Sequence, residues 1–260
     1  MKSFPLRARV KIITRYNYHM RPDIALQLLA LNRKFYADFG EAFSATRRHV
    51  QPGVWKVIDS LRGDEIILDL GCGNGELART LARGGHRGAY LGLDFSLPLL
   101  SAAEAIPEDF DAVFWEVDLT KLSTITDQLS RYHQWSLITS FATLHHIPSR
   151  KLRLDILNIL HALLPSGGRF IHSNWQFLNS PRLRLRVRAW SEVGLRESDV
   201  DENDYLLDWR SGGHGLRYVH HFNEAELADL AGSSDFKITK TFYSDGKEGD
   251  LAIYQTWKKL

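Results

Sequence analysis

The chain has 260 residues, of which 44% are hydrophobic and 25% are charged, and its formal net charge is +2. This composition is typical of a folded protein and gives no general sign of disorder or of nucleic-acid binding. A single cysteine excludes an internal disulfide and a multi-cysteine zinc site, and no apolar run approaches the roughly 20 residues of a membrane span. We therefore expect a cytoplasmic protein with no membrane partner.

The first part of the chain is predicted to be helical. Residues 1–21 form a basic leader with six Lys or Arg and no acid. We do not interpret it as a signal peptide, because the apolar stretch behind it is interrupted by Gln27 and lacks a cleavage site. An amphipathic helix is predicted over 22–43, where apolar residues recur at helical spacing, and a short helix over 54–61 follows.

Strands and helices then alternate, which favours an α/β fold with a mostly parallel sheet covered by helices on both faces. The predicted strands span residues 65–70, 88–96, 112–119, 135–144 and 169–175. The predicted helices span residues 76–85, 120–134 and 149–168. We expect one domain over residues 22–260, with a helical cap over 22–63 and an insertion over about 178–217.

A glycine-rich turn joins the first strand to its helix in the sequence "DLGCGNGELA", residues 69–78. Glycine at such a turn lets a ligand approach the backbone at the carboxyl edge of the sheet. Asp94 ends the next strand, about 20 residues after the glycine turn, where an acid commonly binds a ribose. It is also suited to capping the helix that begins near Ser96. Asp118 ends the third strand. Because Glu76 stands where a dinucleotide-binding turn has its last glycine, the pattern argues against NAD.

The motifs "ILDLGCGNG", "LGLDFS", "EVDLT" and "LLPSGG" occur in this order between residues 67 and 168. In that respect the chain resembles class I S-adenosylmethionine-dependent methyltransferases. The resemblance implies a doubly wound, Rossmann-like sheet of seven strands and S-adenosylmethionine as cofactor, and it implies no metal. It also assigns cofactor-binding positions, namely Asp69, Gly71, Cys72, Gly73, Asp94, Phe95, Asp118 and Leu119.

By this resemblance the turn residues Asp69, Gly71 and Gly73 face the methionine part of the cofactor. Asp94 holds the ribose hydroxyls and Phe95 packs against the adenine. Asp118 accepts a hydrogen bond from the adenine amine, with Leu119 beside it.

The segments flanking this core, "FSATR", "LHHI" and "RYVHHFNEAEL", are similar to those of tRNA methyltransferases that esterify the carboxymethyl group of a modified wobble uridine. This closer resemblance runs from about Phe35 to Tyr254. It implies tRNA as a partner, and eukaryotic members of that family work with a small activator subunit. Two alternatives stay open: a small-molecule O- or N-methyltransferase, and a non-catalytic scaffold that binds the cofactor.

Three residues are the candidates for catalysis: Arg47, His145 and Tyr36. A carboxylate acceptor is already ionised at neutral pH and needs a partner that positions it. The planar guanidinium of Arg47 suits that role, although it also suits the carboxylate of the cofactor or a surface ion pair. His145 or His146 would add a hydrogen bond to that acceptor. The alternative is that these histidines are packed side chains. Tyr36 would cover the cofactor or belong to the core.

Alternating arginines at positions 182, 184, 186 and 188 form a local basic segment. Whether on a strand or a helix, they are suited to contact phosphates. An acidic run follows between residues 192 and 204. The alternative to phosphate binding is that these acids neutralise the arginines within the protein. The pair His220 and His221 lacks carboxylate or cysteine neighbours at the spacing of metal ligands, which argues against a metal site.

Overall fold

The computed structural model describes residues 20–46, 49–104, 106–107 and 109–260. Arg47 and residues 1–19 of the basic leader lie outside this part of the chain, so their predicted roles stay predictions. No helix in the described residues is both long enough and apolar enough to cross a bilayer.

The central sheet has seven strands in the order β3-β2-β1-β4-β5-β10-β9. Strands β1 to β5 run parallel, and β10 is antiparallel to both β5 and β9. The strand order reverses between β1 and β4, and this switch point is where open α/β sheets bind ligands. The strands are β1 Ile67–Leu70, β2 Tyr90–Asp94, β3 Ala112–Glu116, β4 Leu137–Phe141, β5 Arg169–Trp175, β9 Phe236–Ser244 and β10 Ala252–Lys259.

Helices cover both faces of this sheet, which confirms the predicted doubly wound fold. Helices α2 and α3 pack on one face, and α5, α6 and α8 pack on the other, each over a continuous apolar core. The helices are α1 Pro22–Ala45, α2 Pro52–Ile58, α3 Glu76–Arg83, α4 Leu97–Ser101, α5 Thr126–Tyr132, α6 Arg150–Leu163, α7 Pro181–Arg184 and α8 Glu224–Ser233.

The residues between β5 and α8 form a second, antiparallel sheet in the order β6-β7-β8. Its strands are β6 Val187–Arg188, β7 Asp204–Trp209 and β8 Gly215–His220. Helix α1 packs against β8 through a core that includes Leu28, Leu206 and Tyr218. The second sheet therefore supports the helix that lies over the switch point of the first.

Most of the predicted strands extend a few residues beyond the observed ones, and so do the helices predicted over 76–85 and 149–168. Three segments differ in kind or in where they begin. The helix predicted over 120–134 is a 3-10 helix, Leu119–Thr124, followed by α5, because the Asp118 carboxylate accepts from Thr120 N and starts a separate turn. Helix α2 begins at Pro52, ahead of the predicted start, because proline fits the first turn of a helix. The arginine segment is neither one strand nor one helix: α7 ends before the two-residue strand β6.

Candidate active site

A cavity of about 230 Å³ lies at the switch point, between α1 and the carboxyl ends of β1, β2 and β4. Most of the predicted site residues share it. Its lining includes Tyr36, Asp69, Gly71, Cys72, Gly73, Asp94, Phe95, Asp118 and Leu119. His145 is not part of that lining, whereas its neighbour His146 is.

The glycine turn after β1 has left-handed backbone at Gly71, Gly73 and Gly75, with φ of 72°, 56° and 73°. A methyl group on Gly71 would lie 2.2 Å from Thr143 Oγ1, and one on Gly75 would lie 2.8 Å from the Ala103 Cβ. A methyl group on Gly73 would meet nothing within 4 Å. Gly71 and Gly75 are therefore required by the protein's own packing, and Gly73 is the position where the turn is open to a ligand.

Asp94 ties this turn to the end of β2. Its carboxylate accepts hydrogen bonds from Gly73 N at 2.9 Å and from Ser96 N at 2.9 Å. The bond to Ser96 closes a turn just ahead of α4, whose N-cap is Ser96 itself and has no side-chain cap, so Asp94 lies on the cavity wall without capping the helix. Burial raises the pKa of Asp94 above its usual range. A carboxylate oxygen accepts more than one hydrogen bond, so Asp94 retains capacity for a ligand hydroxyl.

Asp69 lies deeper, with only 3% of its surface exposed. It accepts from the Tyr90 hydroxyl at 2.6 Å and from Thr139 Oγ1 at 2.7 Å. Burial raises the pKa of Asp69 to about 6, because the low-dielectric surroundings disfavour its charged form. A cation in the cavity would favour the ionised carboxylate.

Asp118 caps the 3-10 helix after β3 and also contacts α1. Its carboxylate accepts from Thr120 N at 3.0 Å and forms an ion pair with Arg33. This ion pair was not predicted from the sequence. It ties the helix that covers the cavity to the end of β3.

Three apolar or weakly polar groups complete the cofactor side of the cavity. Leu119 is buried beside Asp118, and the Phe95 ring lies edge-on to the Tyr36 ring with centroids 5.7 Å apart. Burial raises the pKa of the Cys72 thiol well above its usual range, so Cys72 stays protonated at neutral pH. Cys72 is therefore a packing group and not a nucleophile.

Tyr36 and His146 form a hydrogen-bonded pair on the α1 side of the cavity. The Tyr36 hydroxyl lies 3.1 Å from His146 Nε2, and His146 Nδ1 lies 3.2 Å from the Tyr218 carbonyl oxygen. A carbonyl oxygen only accepts, so Nδ1 carries a proton. In the neutral ring, Nε2 then accepts a hydrogen bond from the Tyr36 hydroxyl. A basic ring nitrogen and a phenol thus lie side by side at the cavity.

His145 has a different role. It is buried, and its Nδ1 accepts from Trp175 N at 3.3 Å. Strand β4 ends at Phe141, short of the predicted end, and a 3-10 turn, Leu144–His146, follows. This turn places one histidine in the core and the other on the cavity wall.

Asn32 is a cavity residue that the sequence analysis missed. Its Oδ1 accepts from Tyr218 N at 2.8 Å, and its Nδ2 donates to the Tyr218 carbonyl at 3.1 Å. The Asn32 amide thus shares with His146 the Tyr218 carbonyl oxygen as a hydrogen-bond acceptor. A buried polar residue on the apolar face of a predicted amphipathic helix was the available signal, because such a group needs a partner.

The segment "RYVHHFNEAEL" supplies a buried charge cluster beneath this pair. His220 Nδ1 lies 2.6 Å from Asp204 Oδ1, and His220 Nε2 lies 2.8 Å from Glu226 Oε1. Arg153 contacts Glu226 at 3.3 Å and donates to the Tyr218 hydroxyl at 2.9 Å. Both ring nitrogens of His220 face carboxylates and are therefore already bonded within the protein. Tyr218 links this cluster to His146.

Comparisons with known proteins agree with this geometry. A family model described as a methyltransferase domain matches residues 31–241. Among curated proteins, no sequence matches the chain.

Several solved structures share the fold. An S-adenosylmethionine-dependent methyltransferase from Methanosarcina mazei is similar with a TM-score of 0.60 and 21% identity, covering 82% of this chain and 99% of that one. Magnesium protoporphyrin IX methyltransferase from Synechocystis, solved with bound S-adenosylmethionine, has a TM-score of 0.56 and 16% identity, covering 89% and 97%. The 1,6-didemethyltoxoflavin N1-methyltransferase of Burkholderia thailandensis has a TM-score of 0.58 and 18% identity, covering 91% and 89%.

Proposed function

This chain belongs to the class I S-adenosylmethionine-dependent methyltransferases, and from that premise we propose that it methylates the carboxylate of a modified uridine in the wobble position of tRNA. The enzyme class and the cofactor follow from the family model, which covers most of the chain. The observation that carries the acceptor is the meeting of two recognised segments at the cavity. His146 of "LHHI" lines the cavity and bonds the Tyr36 hydroxyl of α1, and behind it His146 Nδ1 bonds the Tyr218 carbonyl of "RYVHHFNEAEL".

The residues of the cavity fit the cofactor. Gly73 leaves open space at the turn, and carboxylates at the ends of the first three strands line one side of it. Asp94 would hold the ribose hydroxyls, and Asp69, deeper in the cavity, would favour the cationic methionine end. S-adenosylmethionine supplies a methyl group on a positively charged sulfur, which is already activated toward displacement by a nucleophile.

The protein's main task is then to hold the two reactants in line and to exclude water. Helix α1 covers the cavity, and its Arg33 is fixed to Asp118 by an ion pair. A carboxylate acceptor is ionised at neutral pH and needs a hydrogen-bond donor but no base. The Tyr36 hydroxyl is placed to be that donor when His146 is protonated, because Nε2 then donates to the Tyr36 oxygen and leaves the phenol proton for the acceptor.

A small-molecule O- or N-methyltransferase is the second candidate, and the same pair favours it. A neutral hydroxyl or amine acceptor must lose a proton, and His146 Nε2 is a base that could receive it directly or through Tyr36. Magnesium protoporphyrin IX methyltransferase and 1,6-didemethyltoxoflavin N1-methyltransferase, two of the structural neighbours, are named for small-molecule acceptors.

The test is transfer of labelled methyl from S-adenosylmethionine into an extract of the source organism that lacks this gene. The extract is separated into tRNA and small molecules after the reaction, and an Asp94→Ala variant provides the background. Label in tRNA that mild alkali releases, as it releases a methyl ester, supports the proposal. Label in tRNA that resists alkali, or label confined to small molecules, contradicts the carboxylate acceptor.

A further inference from the structure

The arginine segment stays largely unneutralised in the folded protein. Glu192 pairs with Arg188 at 2.8 Å. Within the described residues, neither Arg182 nor Arg184 nor Arg186 has an ion-pair partner. In the part of the chain that the structure describes, none of the acidic residues between 197 and 204 forms an ion pair with these three arginines.

The other acidic residues of that run lie against other groups. Asp199 pairs with Arg196, and Asp204 lies buried against His220. Asp201 accepts from Met20 N at 3.0 Å. The exposed Glu197 and Glu202 act on Tyr205, whose pKa is raised chiefly by burial and further by these charges. Among the described residues, neutralisation of the arginine segment by the acidic run is thus limited to Arg188, one of its four arginines.

The position of these arginines points to a surface for a partner. Strand β6 is the outer strand of the second sheet, whose opposite edge strand, β8, is covered by α1. Arg182 and Arg184 are exposed, and Leu185 between them and Arg186 is 81% exposed. We define residues Arg182, Arg184 and Arg186 as the arginine surface.

The arginine surface continues toward the cavity. Arg188 lines a groove together with Leu31 and Lys34 of α1. The opposite side of the same helix carries Asn32 and Tyr36, which line the cofactor cavity. One helix, about 10–12 Å across with its side chains, therefore separates the groove from the site of methyl transfer.

We propose that the arginine surface binds the phosphates of the tRNA whose modified base enters the cavity. The inference rests on the proposed tRNA acceptor and adds the surface that holds the RNA. Guanidinium groups suit phosphates because their planar array of donors matches the oxygens. Three arginines that form no ion pair with any described residue give a local positive charge. Phosphate contacts read no bases, so the contribution of the arginine surface to tRNA affinity should be independent of the RNA sequence.

The experiment measures binding of bulk tRNA by fluorescence anisotropy over a range of NaCl concentrations. It compares the full chain with the triple variant Arg182→Gln, Arg184→Gln, Arg186→Gln. A control triple variant, Arg83→Gln, Arg87→Gln, Arg131→Gln, removes the same charge at exposed positions outside the second sheet. Binding of S-adenosylhomocysteine by calorimetry verifies that both variants are folded.

Each phosphate contact contributes a slope of about −0.7 to −0.9 to log K against log salt concentration. Loss of three contacts should therefore make the slope less steep by about 2–3, and should weaken binding on the order of 100-fold at about 0.1 M salt, if binding at about 1 M is unchanged. The control triple variant and Leu185→Ser should bind tRNA as the unaltered chain does. Equal slopes for the two triple variants would overturn the inference.

Anionic membranes are the competing partner for a basic surface with an exposed leucine. If phosphatidylserine vesicles bind the protein through these arginines while the tRNA slope is unaffected, the inference is overturned. The result also separates this inference from the proposed function. If the salt dependence of tRNA binding depends on the arginines but no methyl group is transferred to tRNA, only the proposed acceptor is contradicted. If methyl groups are transferred to tRNA but the salt dependence is the same without the arginines, only the proposed binding surface is contradicted.

Discussion

The glycine turn provides a matched pair of substitutions that separates cofactor binding from backbone strain. Gly73 precedes α3, and Gly85 follows it. Both have left-handed backbone, with φ of 56° and 75°, and a methyl group on either would meet no protein atom within 4 Å. Gly73 lines the cavity and Gly85 does not.

The expected cost to folding is the same for Gly73→Ala and Gly85→Ala. An alanine held in left-handed backbone costs about 1–2 kcal/mol, and for a chain of this size each kcal/mol lowers Tm by about 2–4 °C. Both variants should therefore unfold about 2–8 °C below the unaltered protein without cofactor.

Cofactor affinity should differ between the two. The added methyl group at Gly73 would occupy space that the cofactor needs, at a cost of about 1–3 kcal/mol, or about 5- to 150-fold in Kd. Calorimetric titration with S-adenosylhomocysteine measures this directly, and Gly85→Ala should bind normally. Equal affinities for the two variants would refute the assignment of Gly73 to the cofactor.

Three further predictions address the interior and the acceptor side. Burial raises the pKa of Asp69 to about 6, so the folded state retains a proton that the unfolded chain loses, and the free energy of unfolding should fall by about 3 kcal/mol as pH rises from about 3 to about 7. Urea unfolding of Asp69→Asn across this range should lack that contribution, and a slope identical to that of the unaltered protein would contradict it. Tyr36→Phe should lower kcat/KM by up to about 10-fold if the acceptor is a carboxylate, since one neutral hydrogen bond is lost. A loss of about 10²- to 10⁴-fold in steady-state assays would instead indicate proton transfer through His146. Glu226→Gln should lower the free energy of unfolding by about 3–5 kcal/mol because it disrupts a buried ionic cluster, whereas Asp229→Asn, in a partly exposed pair, should cost about 1 kcal/mol or less; similar losses in urea unfolding would show that the cluster is not needed for stability.

The first strands of the fold and the acids at their carboxyl edge could be predicted from the sequence because local signals determine them. An apolar strand followed by glycines with an acid before them indicates a turn at the carboxyl edge of the sheet, and Asp94 and Asp118 follow strands of the same kind. Parallel strands bring their carboxyl ends to one edge. The shared cavity of Asp69, Asp94 and Asp118 follows from that arrangement.

The acceptor side could not be predicted as well because it depends on side-chain direction and on long-range packing. Whether His145 or His146 faces the cavity depends on a 3-10 turn that replaces the last residues of the predicted strand. Asn32 meets Tyr218 across 186 positions of the chain, and no local pattern contains that pairing. The acidic run is divided between local partners, as in the pair of Asp199 with Arg196, and distant ones, as in the bond of Asp201 with Met20, so the fate of the arginine segment required the structure.

The most direct test of the account is a crystal structure of the protein with S-adenosylhomocysteine. We expect the cofactor in the cavity at the switch point, with its ribose at Asp94, its adenine beside Phe95 and Leu119, and its sulfur directed toward Tyr36 and His146. A cofactor bound elsewhere, or one whose sulfur faces away from the Tyr36 and His146 pair, would contradict the assigned site of methyl transfer.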